Sequence, residues 1–174
     1  LGVVTRTLQN LLQESVPIRD MRTVVEALTE VSGRTQDPDQ LAQLVRPKLG
    51  RMIVQGLLEN RDTLSVMTLD PHLEQLLHNV LQQNNGSPGM VLEPSLAESL
   101  FAALRESARN TEEQGFAAVL VVSPAIRPWM SKAVRFRVSD LTVLSYSEIP
   151  DDQPVKVIHT VQADPRNNPT VNKA

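Results

Sequence analysis

The stretch of this 174-residue chain most able to do chemistry is AAVLVVSPAIRPWMSKAVRFRV, residues 117 to 138. A β-branched run, Val119-Leu120-Val121-Val122, meets Ser123-Pro124, and a helical pattern follows with Arg127, Lys132, Arg135 and Arg137. Such strand-to-helix turns hold nucleophiles and phosphates in many α/β enzymes. A serine nucleophile there needs small flanking residues that tolerate strain and a backbone N–H just after it for the oxyanion. Position 124 is proline, which has no N–H to give, and no glycine adjoins the turn. A phosphate cradle fails on the same ground. The turn reads as a capped helix start.

Other candidates are weaker. His72 and His78 are six residues apart, so on a helix their imidazoles point to different faces. His159 falls in a strand, facing solvent or a neighbouring subunit. Zinc requires three or four convergent ligands, so neither a metal nor a cofactor is expected. Glu148, Asp151 and Asp152 straddle Pro150 without the glycine and ligand spacing of a calcium loop, and read as a solvated turn. The basic residues from Arg127 to Arg137, with no acid among them, leave two readings open. They are either cations that offset a helix dipole and cover a sheet edge with their stems, or a contact surface for an acidic partner or neighbouring subunit.

The elements that would position these groups fall into two units. Aromatics are 3% of the chain and all five follow residue 100, so the first hundred residues must pack through aliphatics. Residues 1–62 read as a small all-helical subdomain. Val4, Leu8, Leu11 and Leu12 mark one helix face, and Pro17 breaks it. Met21, Val24, Val25, Leu28 and Val31 mark a second face. Asp37-Pro38-Asp39-Gln40 is a helix start with a capping box, and Pro47 predicts a boundary or kink near Arg46.

Residues 63–161 read as an α/β sandwich subdomain of about four strands, in the order β-α-α-β-α-β-β, which makes the whole chain α+β. Leu64–Leu69, Phe116–Ser123, Leu141–Ser147 and Val155–Val161 are its strands. Asp70-Pro71 starts a helix with Leu73, Leu76, Leu77, Val80 and Leu81 as its stripe. A longer helix spans Pro94 to Asn110, and a third Pro124 to Arg137. Asn84–Gly89 is a loop, and 162–174 a flexible tail.

A net charge of −3 and a sequence pI near 5.6 give no general reason to bind nucleic acid. The helical unit loosely resembles helix-turn-helix proteins, but its charges balance and it lacks a basic recognition face. Without cysteine there are no disulfides or thiolate sites. No run reaches the length of about 18 apolar residues that a membrane span needs. The chain starts at Leu1, which fits a soluble fragment cut from something longer.

LLQESVPIRDMRTVVEALTE, VMTLDPHLEQLL, VLVVSPAIRPWMSKAVR and LTVLSYSEIPDDQPVKVI together resemble the C-terminal part of the FlhA/InvA/MxiA type III secretion export family, over residues 1 to about 161. SPAIRPW and SYSEIPDD point to its flagellar branch, with the virulence injectisome branch as the alternative. The resemblance implies the last two cytoplasmic subdomains of a protein export gate: non-enzymatic, without cofactor, and attached to the bacterial inner membrane only through an N-terminal half outside this chain.

It implies a nonameric ring of copies of itself as a partner, together with export chaperone-substrate complexes and components of the export ATPase complex. Ile18, Arg19, Asp20 and Arg22 match the PIRDM-type segment of the ring-forming subdomain, and Arg127, Pro128 and Trp129 match RPW. With Lys132 and Arg135 these are the candidate interface residues. The isolated fragment is expected to be mainly monomeric. A small α/β enzyme using Ser123 or His159 is the competing reading from another class.

Overall fold

In the computed structural model of this chain, residues 1–84 and 91–163 are described. The loop expected at Asn84–Gly89 and the tail expected at 162–174 lie outside them, except for Asn84, Gln162 and Ala163. The chain divides into two compact units. Unit 1 holds Leu1–Leu64 and a later segment, Ser147–Pro154, that falls within the span 63–161 expected as the second subdomain. Unit 2 holds Ser65–Tyr146 and continues from Val155.

Unit 1 is helical: α1 (Gly2–Gln13), α2 (Met21–Val31), α3 (Pro38–Val45), a 3₁₀ turn (Arg46–Leu49) and α4 (Gly50–Leu57). α1 and α2 both pack on α3. Side-chain oxygens start two of these helices by taking otherwise orphaned N–H groups. Asp20 accepts from Thr23 N–H, and Asp37 from Asp39 N–H. The expected capping box at Asp37 does not close. Gln40 accepts from the Thr35 hydroxyl instead, and that same hydroxyl accepts from Asp37 N–H. The boundary expected at Arg46 is present, where Pro47 interrupts the α-helical ladder and the 3₁₀ turn carries the chain on.

The buried stripes of α1 and α2 are narrower than the apolar pattern. Leu11 is buried in α1, and Val24, Ala27, Leu28 and Val31 in α2, whereas Val4, Leu12, Met21 and Val25 are exposed. Short helices packed on one neighbour bury one side, so residues at the flank of the stripe stay outside.

Unit 2 has β1 (Leu64–Leu69), α5 (Pro71–Gln83), α6 (Pro94–Glu113), β2 (Val119–Val122), α7 (Arg127–Val134), β3 (Thr142–Ser145), a 3₁₀ turn that begins at Tyr146, and β4 (Val155–Val161). The sheet order is β3-β2-β1-β4. β1 and β2 are parallel with Met67 opposite Leu120, and β2 and β3 are parallel with Val119 opposite Thr142. Leu64 N–H bonds to Pro154 C=O and Asp70 N–H to Val161 C=O, so the partners advance together and β4 also runs parallel to β1.

Parallel strands need covering, and they read here as near-continuous apolar runs. Met67 and Leu69, Leu120 and Val122, and Val143 join Leu73 and Leu77 of α5, Leu100, Phe101 and Leu104 of α6, and Met130 and Val134 of α7 in one core. Gly115, with φ 80°, ends α6 in the left-handed conformation that glycine adopts without strain.

Candidate interaction surfaces

The first candidate surface lies at the corner between α1 and α2. The chain leaves α1 through Ser15 in the left-handed region, buries Val16, and turns at Pro17. Ile18 is half-buried, and Arg19, Asp20 and Arg22 are exposed. Asp20 is committed to a local task. One carboxylate oxygen accepts from Thr23 N–H at 3.1 Å and the other from the Thr23 hydroxyl at 2.6 Å. Chiefly through that hydroxyl, then through the backbone bond, the Asp20 carboxyl is held below the ordinary carboxylate value.

Arg22 pairs with Glu26 one turn on, at 3.0 Å and in full view of solvent, a contact of small energetic weight. The same two helices carry exposed Val4, Leu12, Met21 and Val25, each between 43% and 52% exposed. The sequence pattern showed these four as apolar but placed them on buried faces. Their solvent exposure gives the two helices that flank the charged corner an apolar component.

The second candidate surface, α7, separates the residues that the sequence grouped. Arg127 is 2% exposed, and its Nη1 donates to the Val143 carbonyl at 3.2 Å. It faces the interior and braces β3, which removes it from any outer surface. Trp129 is half-buried against the unit 2 core, as Ile126, Met130 and Val134 are buried in it. Lys132 and Arg135 are exposed. Beyond the helix, Phe136 is 89% exposed with the Arg135 guanidinium 5.9 Å from its ring centre, and Arg137 lies 4.7 Å over Phe101. Phe136 follows the end of α7 and is neither basic nor part of the RPW segment, the two signals that single out residues here in the sequence.

The turn before α7 has no side-chain cap, contrary to the capped start expected. The Ser123 carbonyl instead accepts from Ile126 and Arg127 N–H groups, while its own N–H donates to Glu74 of α5 at 2.8 Å. Ser123 Oγ is buried and has no hydrogen-bond partner among the described residues. His159 Nε2 is also buried, rather than turned to solvent or a neighbour as expected. Among the described residues no group of three or more His, Cys, Asp or Glu could hold a metal ion.

A third feature was not legible in the sequence. Arg46 and Glu148 are 1% and 2% exposed and 102 positions apart. Arg46 Nε and Nη2 reach the two Glu148 oxygens at 2.7 and 3.2 Å, and Nη1 reaches Glu14 at 2.6 Å. Nearby, Arg51 pairs with Asp152, whose carboxyl that guanidinium holds below its ordinary value. The acidic group read as a solvated turn is therefore in part a fastening. A local spacing argument sees three acids near a proline, and cannot see a guanidinium a hundred residues away.

A model described as the FHIPEP family matches residues 1–154. The chain is 41% identical over 165 residues to the flagellar biosynthesis protein FlhA of Escherichia coli K12, covering 92% of this chain and 23% of that protein. The chain thus spans under a quarter of the length of that relative. Among solved structures, the Shigella flexneri MxiA protein superposes with a TM-score of 0.77 at 25% identity, over 91% of this chain and 50% of that one. The nonameric SctV-C of EPEC superposes with a TM-score of 0.73 at 27% identity, over 89% and 46%.

Proposed function

This chain belongs to the FHIPEP family, and from that premise we propose that it is a docking and ring-forming part of a flagellar type III protein export gate. The flagellar branch is favoured over the injectisome branch because identity is 41% to a flagellar relative and 25–27% to the injectisome structures compared. The observation that carries the ring reading is the solvent exposure of four apolar residues, Val4, Leu12, Met21 and Val25, on α1 and α2, the helices that flank the Arg19–Arg22 corner. A nonameric neighbour of the same fold supports a second copy as its occupant. Burying such residues drives association, and a charged rim fixes its register.

Lys132, Arg135 and Phe136 form the proposed surface for the incoming cargo: chaperone-substrate complexes and components of the export ATPase complex. No helix among the described residues is long and apolar enough to cross a membrane. Attachment to the cytoplasmic face of the inner membrane therefore belongs, in this proposal, to segments outside this chain. The role is non-enzymatic. The proline after Ser123 and the carboxylate already occupying the Ser123 N–H leave no donors there for an oxyanion.

The test is made in cells, in the full-length protein, with Leu12→Asp and Val25→Asp together. Export and motility should fall with protein level unchanged, and cross-linked ring species should disappear. Normal export with intact rings would overturn the ring assignment. Lys132→Glu with Phe136→Ala should reduce export while leaving rings intact.

A further inference from the structure

Ser147–Pro154 is continuous in the chain with β3 and β4 of unit 2, yet it packs as part of unit 1. Its hold is specific. The Glu148 side chain lies on Arg46 at 2.7 and 3.2 Å. Asp152 pairs with Arg51 at 3.0 Å, and Gln153 Nε2 donates to the Asp62 carbonyl at 2.8 Å. The Glu148 carbonyl sits so close over Gly50 that a Cβ at that position would stand 2.0 Å from its oxygen, a distance no side chain tolerates.

The segment ends at Pro154, whose carbonyl takes the Leu64 N–H at 2.9 Å and so sets where β4 begins along β1. β4 is the strand most in need of such a stop. It lies at the sheet edge, with Val155, Lys156, Val157 and Thr160 exposed and Val161 its one buried residue. By contrast, β2 buries Val119, Leu120 and Val122. A strand with so little apolar burial depends on its ladder bonds and on how its ends are held.

We propose that residues 147–154 are a releasable strap, pinned at Arg46 and Gly50, whose docking keeps β4 on β1. With the strap docked, β4 covers the edge of β1. With it released, β4 frays from Val155 onward and the β1 edge presents unpaired N–H and C=O groups, the chemistry that accepts an extended strand from another chain. The rest of unit 2 survives this change, because of β4 its core includes only Val161. The proposal does not rest on the ring reading.

Hydrogen exchange of the full chain tests it with two variants that act by different physics. Gly50→Ala wedges the strap away with every charge kept, and Glu148→Gln weakens the charged pin with no added bulk. In both, amides of 147–161 should exchange about tenfold faster or more, while those of β2, β3 and α6 keep their protection. Faster exchange confined to 147–154 would overturn the proposal, since the strap would then not govern the strand. Unchanged exchange in both variants would overturn it too.

Should either variant fail to fold, the unaltered chain in low denaturant gives the same decision. Residues 147–161 should open together before β2 and β3, and opening of β4 only in step with β2 would sink the idea.

Discussion

Arg46 in unit 1 and Arg127 in unit 2 are both almost wholly buried, at 1% and 2% exposed; Arg46 holds carboxylates from distant parts of the chain, and Arg127 holds a strand carbonyl. Arg46 meets two carboxylates, Glu14 just past the end of α1 and Glu148 in the segment after β3, so it ties together residues 14, 46 and 148. Arg127 donates to the backbone carbonyl of Val143, beside an apolar core that is already continuous from α5 to β4. Unit 1 contains no aromatic residue and packs short helices, so directional charge specifies its one long-range closure. Unit 2 specifies its closure by area, and its arginine braces β3 through the Val143 carbonyl. A buried ion pair is weak evidence of net stability, yet removing one partner strands a charge.

The largest effect should therefore come from Arg46→Met. It takes away the guanidinium that faces Glu14 and the buried Glu148 and should cost about 3–5 kcal/mol in urea unfolding. Arg46→Met with Glu148→Met should recover a good part of that loss, because the desolvated charge goes with its partner. A single substitution costing under ~1 kcal/mol would break the contrast between the units. For the apolar unit the corresponding probe is Leu104→Ala, at a site with no exposure, with an expected loss of about 2–5 kcal/mol and exchange rising around α6 first.

Arg127→Met sharpens the comparison further. It removes the hydrogen bond to the buried Val143 carbonyl while keeping the stem, and that bond alone is worth about 1–3 kcal/mol, against about 3–5 kcal/mol for Arg46→Met. Parity of the two would mean that Arg127 carries a specifying role like that of Arg46.

What sequence could and could not reveal divides along the same line. Local, covalently close physics was legible: Asp70 capping a helix that opens with Pro71, the interruption at Arg46-Pro47, the four strands and their order with helices, and the Leu73-Leu77-Leu81 stripe. The family resemblance rests on motifs of this kind and agrees with the match over residues 1–154. Features set by distant partners were not legible. Periodicity shows that Val4, Leu12, Met21 and Val25 are apolar, but whether a flank is covered depends on how many neighbours a helix has. Charge alone shows Arg127 beside Lys132 and Arg135, but which one turns inward depends on where the carbonyls of β3 lie. Within the candidate corner, Asp20 looked like an interface residue, and it is a helix cap that also faces solvent.

That double position gives the smallest and most discriminating prediction. The Thr23 hydroxyl and N–H hold the Asp20 carboxyl below its usual 3.8, so the folded state binds its proton less readily than the unfolded chain does. The sign follows from linkage: the cap contributes fully above 3.8, and its contribution is lost as pH falls through the lowered folded value. Asp20→Asn keeps a good capping side chain but has no proton to take up in acid. Its neutral-pH stability should stay close to that of the parent chain, and its acid unfolding curve should be shallower at the low end. Asp20→Ala should lose stability at neutral pH as well, by unwinding the first turn of α2. In the export assay Asp20→Asn then separates two roles that Asp20→Ala confounds. Export intact in the Asn variant and reduced in the Ala variant assigns Asp20 to holding the corner in shape. Equal loss in both assigns its negative charge to the contact itself, and would move the exposed apolar residues of α1 and α2 from sole driver of association to one half of a charged and apolar interface.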